Sequence, residues 1–145
     1  MDDQATNSWY SGPPSTLSYV AESNGEDGDV YAITAGEQPD GDGRTITVEI
    51  KADPDEQETM NGMDTYSIWL EPPFASHWGG ISECAIADGI LEIRLTPDAA
   101  DSLGVGPLLR FRLVLDDAQV ALLRNGLRRT LSSGRADRRP SRLDL

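Results

Sequence analysis

The chain has 145 residues, of which 38% are hydrophobic, 26% charged and 6% aromatic, and this suits one domain around a single core. Its apolar runs fall far short of the roughly 20 residues that a membrane-spanning helix needs, and a lone cysteine, Cys84, forms neither an internal disulfide nor a cysteine-rich zinc site. A net charge of −13 argues against nucleic acid or an anionic membrane as partner.

Residues 1–16 are polar and rich in Pro, Gly and Ser, and are expected to be a disordered lead-in. They begin Met1-Asp2-Asp3-Gln4, without the apolar run of a secretory leader, so a cytoplasmic protein is expected. The folded domain is expected over residues 17–131. Its first strands are Leu17–Glu22 and Asp29–Ala35, joined by a turn-rich segment. Arg44–Ala52 alternates, with Ile46, Val48 and Ile50 on one face and Thr45, Thr47, Glu49 and Lys51 on the other. After a polar loop, Asp64–Glu71 alternates again, with Tyr66, Ile68 and Leu70 in phase and Trp69 out of phase. Pro72-Pro73 ends that strand, because proline cannot donate to a ladder.

Asp88-Gly89 between two strand-like runs predicts a two-residue type I′ hairpin. The register that follows places Ala87 opposite Ile90, Ile86 opposite Leu91, Cys84 opposite Ile93 and Glu83 opposite Arg94. Cys84, Ile86, Leu91, Ile93 and Leu95 then face the core. Thr96-Pro97-Asp98 opens a short helix closed by Gly104, and Leu109–Leu115 is a further strand. Asp116 and Gln119 have capping-box spacing and start a helix with a stripe of Val120, Leu123, Leu127 and Leu131. Residues 132–145 are expected to be a disordered basic tail, and deleting residues 1–16 and 135–145 is expected to leave the fold intact. The fold class is therefore α+β: one mostly antiparallel sheet of about seven strands, one short helix, and a C-terminal amphipathic helix packed on one face.

Chemistry is sparsely signalled. His77 is the only histidine, so neither a histidine-based metal site nor a Ser-His-Asp triad is indicated. A core-facing Cys84 is a small buried hydrophobe and a poor nucleophile. Asp53, Asp55 and Glu58 share a loop with D-x-D spacing, yet Glu58 stands where a calcium loop of the EF-hand type requires glycine. No phosphate-cradling glycine motif occurs. Catalytic residues, metal ligands and cofactors are therefore expected to be absent.

Two features point to a protein partner. Residues 1–109 hold three basic and 21 acidic side chains, whereas residues 110–145 hold nine arginines and four acids. An acidic body of this kind suits a basic protein. Beside it lies a cluster of aromatics next to turn residues: Tyr66, Trp69, Phe74, His77 and Trp78. Tyr66 is in phase with the core, whereas Trp69 is not, and exposed aromatics mark interfaces. A small-ligand or carbohydrate-binding β module, using Trp69 and Trp78 as stacking platforms, is the alternative reading.

The order Glu56-Gln57-Glu58, Gly62-Met63-Asp64-Thr65-Tyr66-Ser67-Ile68, Trp78-Gly79-Gly80-Ile81 and the Asp88-Gly89 hairpin with Leu91-Glu92-Ile93-Arg94-Leu95 resembles immunity protein family ten, from bacterial polymorphic-toxin systems. The resemblance runs from about Val30 to Leu131. The acidic Pro/Gly-rich N-terminal segment and the basic tail are not part of the family pattern. It implies a non-enzymatic protein that binds and neutralises a cognate toxin, with no nucleic acid or membrane as partner, by occluding a basic active-site cleft. The expected toxin contacts are Asp55, Glu56, Glu58 and Asp64, with Trp69, His77 and Trp78 as apolar anchors.

Overall fold

The structure, a computed structural model, describes residues 15–25, 29–38, 43–51, 56–60, 65–71, 74–133 and 139–145. In chain order the elements are β1 (Ser15–Leu17), β2 (Tyr19–Asn24), β3 (Val30–Gly36), β4 (Thr45–Lys51) and α1 (Glu56–Met60). There follow β5 (Ser67–Glu71), β6 (Ala75–Trp78), β7 (Ile81–Ala87), β8 (Ile90–Leu95) and α2 (Pro97–Leu103). The chain ends with β9 (Leu108–Leu113), α3 (Asp117–Leu131) and β10 (Arg142–Asp144). The α+β class and the mostly antiparallel pairing hold. The single sheet of about seven strands does not: the ten described strands form two five-stranded sheets, β1-β9-β8-β7-β10 and β2-β3-β4-β5-β6.

The chain passes between the sheets at two places, and each has a local cause. Ser18 interrupts the first expected strand. Leu17 pairs in parallel with Leu113 of the first sheet, while Tyr19 pairs with Gly36 of the second. The second passage is Gly79-Gly80, with φ of 70° and 94°, values that L side chains rarely adopt. A Cβ on Gly80 would collide with Ala99 of α2 and come within 2.9 Å of His77 Nδ1, so only glycine fits there. Tyr66 locks this passage. It is fully buried, its hydroxyl accepts from Ile81 N at 2.8 Å, and its carbonyl accepts from Gly79 N at 2.8 Å.

The Asp88-Gly89 hairpin has the predicted register at all four pairs, and both turn residues have positive φ (54° and 76°). Cys84, Ile86, Leu91, Ile93 and Leu95 are all buried. On the opposite face Glu83 meets Arg94 at 3.9 Å and Glu92 meets Arg110 at 2.9 Å, so the first sheet turns a charged face to solvent. In the second sheet, Ile33, Val48 and Ile68 form one row, and Ala35, Ile46 and Leu70 another, on the inner face. Helix α3 packs there, across β2, β3 and β4, through Leu123, Gly126, Leu127 and Leu131. Asp116 caps its start by accepting from Gln119 N at 2.8 Å, and Arg129 lies 3.9 Å from the centre of the Tyr31 ring. Thr96 caps α2, and Gly104 ends it in the left-handed conformation, as the residue pattern predicts.

Both terminal segments contribute to the sheets. Ser15 and Thr16, from the expected lead-in, belong to β1. Residues 142–144, from the expected disordered tail, pair in parallel with Glu83, Cys84 and Ala85. Leu143 and Leu145 pack against the core, and the Leu145 main-chain oxygen accepts a hydrogen bond from Arg128. Three residues carry no periodicity to read, so the sequence offered no sign of this strand.

Candidate functional site

The second sheet has an outer face that neither α2 nor α3 covers, since both pack on the side of the core. Strand alternation and register define its residues. One row runs Ala21, Thr34, Thr47, Trp69, Ser76, and the next runs Ser23, Ala32, Glu49, Ser67, Trp78. Most of these side chains are small, and the two tryptophans are the largest in these rows. Thr34 and Thr47 hydroxyls hydrogen-bond across the strands at 2.9 Å.

Trp69 and Trp78 are diagonal neighbours, which places them about 7–8 Å apart at the backbone. The Trp69 indole bends over Ser67, donating Nε1 to its Oγ at 2.8 Å, and Ser67 is left only 3% exposed. Phe74 stands edge-on to Trp69, with centroids 5.4 Å apart and planes at 73°, and is itself 60% exposed. Trp69 falling out of phase with the core thus has a plain structural meaning: it belongs to the outer face.

Glu49 lies in the same row as Trp78, with Ser67 between them. It is partly buried, and burial holds its carboxyl above the ordinary value of 4.5. Among the described residues no hydrogen bond or ion pair reaches it. Strand alternation places Glu49 on the non-core face, and nothing in the sequence assigns it a role. The missing signal was that neither α2 nor α3 packs on this face, which strand alternation alone does not reveal.

Of the other expected contacts, Glu56 is exposed at the start of α1, and Glu58 lies in the same helix. Asp55 and Asp64 fall outside the described residues, as does Asp53 of the loop weighed for calcium. The segment that carries them leaves β4 after Lys51 and rejoins the sheet at β5, the end of the face where Glu49, Ser67 and Trp78 lie. His77 is separated from the tryptophans. It pairs with Ile68, on the inner side of β6, and its Nδ1 lies 3.2 Å from Gly79 O.

His77 instead helps line a second feature, a hollow with Gly80, Thr96, Asp98, Arg139 and Ser141. Cys84 is buried, and burial pushes its thiol up to about 12, so it is a neutral thiol at ordinary pH. Among the described residues no three His, Cys, Asp or Glu side chains group as metal ligands, and no helix is long and apolar enough to cross a membrane.

The architecture is thus two five-stranded sheets, with ion pairs on the outer face of one and two tryptophans on the outer face of the other. The sequence profile of immunity protein 10 matches residues 16–121, from β1 into α3, and the chain belongs to that family. No curated protein and no solved structure matches the chain. The structure gives two of this chain's motifs a physical reason: Tyr66 and Gly79-Gly80-Ile81 form the passage between sheets. Membership makes this an immunity protein, a kind that acts by binding a toxin.

Proposed function

We propose that this protein binds and neutralises a cognate bacterial polymorphic toxin in the cytoplasm, occluding a basic active-site cleft with the outer face of the second sheet. The observation that carries this reading is the convergence of Trp69, Trp78 and Phe74 on one face, beside the strand ends that bear the acidic 52–64 segment. Apolar anchors of this type concentrate interface energy, while charges around them steer encounter. Asp55, Glu56, Glu58 and Asp64 supply that rim and Trp69 and Trp78 the centre; His77 contributes indirectly, by holding the Gly79-Gly80 turn. The protein acts stoichiometrically and without a cofactor. Family membership favours a protein partner over the carbohydrate-binding alternative, which would use the same two tryptophans.

The test is co-expression with the cognate toxin domain, sought among the neighbouring genes, followed by purification of the complex. Wild type should protect the cell and co-purify with the toxin. Trp78→Ala should raise the dissociation rate by tenfold or more, with an unchanged melting temperature. Protection and binding that persist in a Trp69→Ala/Trp78→Ala double variant would move the interface to another face.

A further inference from the structure

The outer face contains an arrangement more specific than an aromatic patch. Glu49 is a carboxylate with no partner among the described residues, partly withdrawn from water, whereas Glu83 and Glu92 on the first sheet face arginines. An unpaired, partly desolvated charge is a cost to the folded chain, and such groups persist where a ligand completes them. The side chains around it are complementary to one kind of ligand. Trp69 lies diagonal to Glu49 and bends toward the Ser67 position between Glu49 and Trp78. Trp78 donates no side-chain hydrogen bond within the described residues and is partly exposed. An indole diagonal to a carboxylate, with a second indole two strands along the same row, supplies π-faces and a counter-charge together, the pairing that recognises a planar cation.

We infer that Glu49, Trp69 and Trp78 form a receptor for a single arginine side chain presented by the protein partner. The guanidinium stacks on the outer surface of the Trp69 indole, which covers Ser67, and its N–H groups donate to the Glu49 carboxylate. A lysine ammonium supplies the charge without the planar face, and is the poorer occupant. This deepens the reading of the outer face as the toxin-binding surface, since it names the group on the partner that the face accepts.

The experiment needs no toxin. The full-length protein is titrated with acetyl-Gly-Arg-Gly-amide, and the indole N–H resonances of Trp69 and Trp78 are followed, assigned by Trp→Phe variants. Peptides carrying lysine, or the neutral isostere citrulline, replace the arginine peptide in parallel. The arginine peptide should shift both indoles saturably, and Glu49→Gln should weaken its binding by roughly tenfold, the usual scale for a hydrogen bond to a charged group. The citrulline peptide should lose as much, whereas Asp101→Asn, on the exposed side of α2, should change nothing. Equal shifts with citrulline, no saturable shift at tens of millimolar peptide, or a Glu49→Gln variant that titrates like wild type would each overturn the inference. With the toxin in hand, a complex whose dissociation is indifferent to Glu49→Gln would overturn it while leaving the immunity function standing.

Discussion

At the scale of single residues, Glu49 ties folding to function through a sign that can be worked out. Its folded-state pKa lies above the ordinary value, because burial disfavours the charged form. The folded state therefore holds the proton more tightly than the unfolded state, and stability falls as pH rises through this window. Below about pH 4 the carboxyl is neutral in both states and no penalty remains. Glu49→Gln should accordingly raise the melting temperature at neutral pH and leave it unchanged at pH 3.5, while it weakens arginine binding. A melting temperature that falls at neutral pH would show that the carboxylate has a stabilising partner. The turn glycine behaves in the opposite way. Gly89 has φ of 76° with no atom within 4 Å of an added Cβ, so Gly89→Val is opposed by backbone strain alone. It should cost about 1–3 kcal/mol by thermal or urea unfolding, whereas Glu83→Arg should cost less than about 1 kcal/mol, because that ion pair is exposed. The hairpin was legible in the sequence because two residues specify its turn chemistry. Glu49 was not, because its meaning depends on its neighbours across the sheet, Ser67, Trp69 and Trp78.

At the scale of elements, the strands that sequence reading recovered are those with four or more alternating positions. Ile46, Val48, Ile68 and Leu70 announce their face by period. β6, β1 and β10 are short, and the division into two sheets depends on where the chain turns rather than on any strand's pattern. β10 also carries a consequence for the tail. It occupies the edge of β7, and its Leu143 and Leu145 pack against the core. Deleting residues 139–145 should therefore cost roughly 2 kcal/mol, from two partly buried leucines, and should leave an open strand edge prone to concentration-dependent association. Unfolding curves and light scattering read the two effects separately; neither appearing would mean that the edge is satisfied without β10. Helix α3 offers a sharper case. A Cβ on Gly126 would approach Ile33 Cγ1 to 2.6 Å and its Cβ to 2.8 Å, so glycine is required by the closeness of helix to sheet. Gly126→Ala gains about 1 kcal/mol of helix propensity but should be destabilising overall, since overpacking costs about 1–3 kcal/mol. A higher melting temperature for this variant would mean that α3 shifts freely on the sheet.

At the scale of the whole molecule, the charge segregation seen along the chain becomes a segregation between faces. Arg94, Arg110 and Arg142 lie with Glu83 and Glu92 on the outer side of the first sheet. The outer side of the second sheet and its loop end carry Glu49, Glu56 and Glu71, with Lys51 as the described cation of β4. A molecule charged in this way presents its acidic side to a basic partner before contact, so position as well as net charge governs the encounter. The two contributions separate experimentally. Neutralising Asp55, Glu56 and Glu58 together should slow toxin association several-fold and flatten its dependence on salt, with dissociation little changed. Replacing Arg110 and Arg112 by Gln makes the molecule more acidic but acts on the far sheet, beyond the roughly 8 Å over which charge is felt at physiological salt. Association should then stay close to wild type. Stopped-flow rates at several ionic strengths give the answer: acceleration by the arginine substitutions, matching the slowing by the acid substitutions charge for charge, would mean that net charge alone steers the complex. An association rate indifferent to salt in every variant would remove steering altogether and leave the tryptophan face to account for recognition.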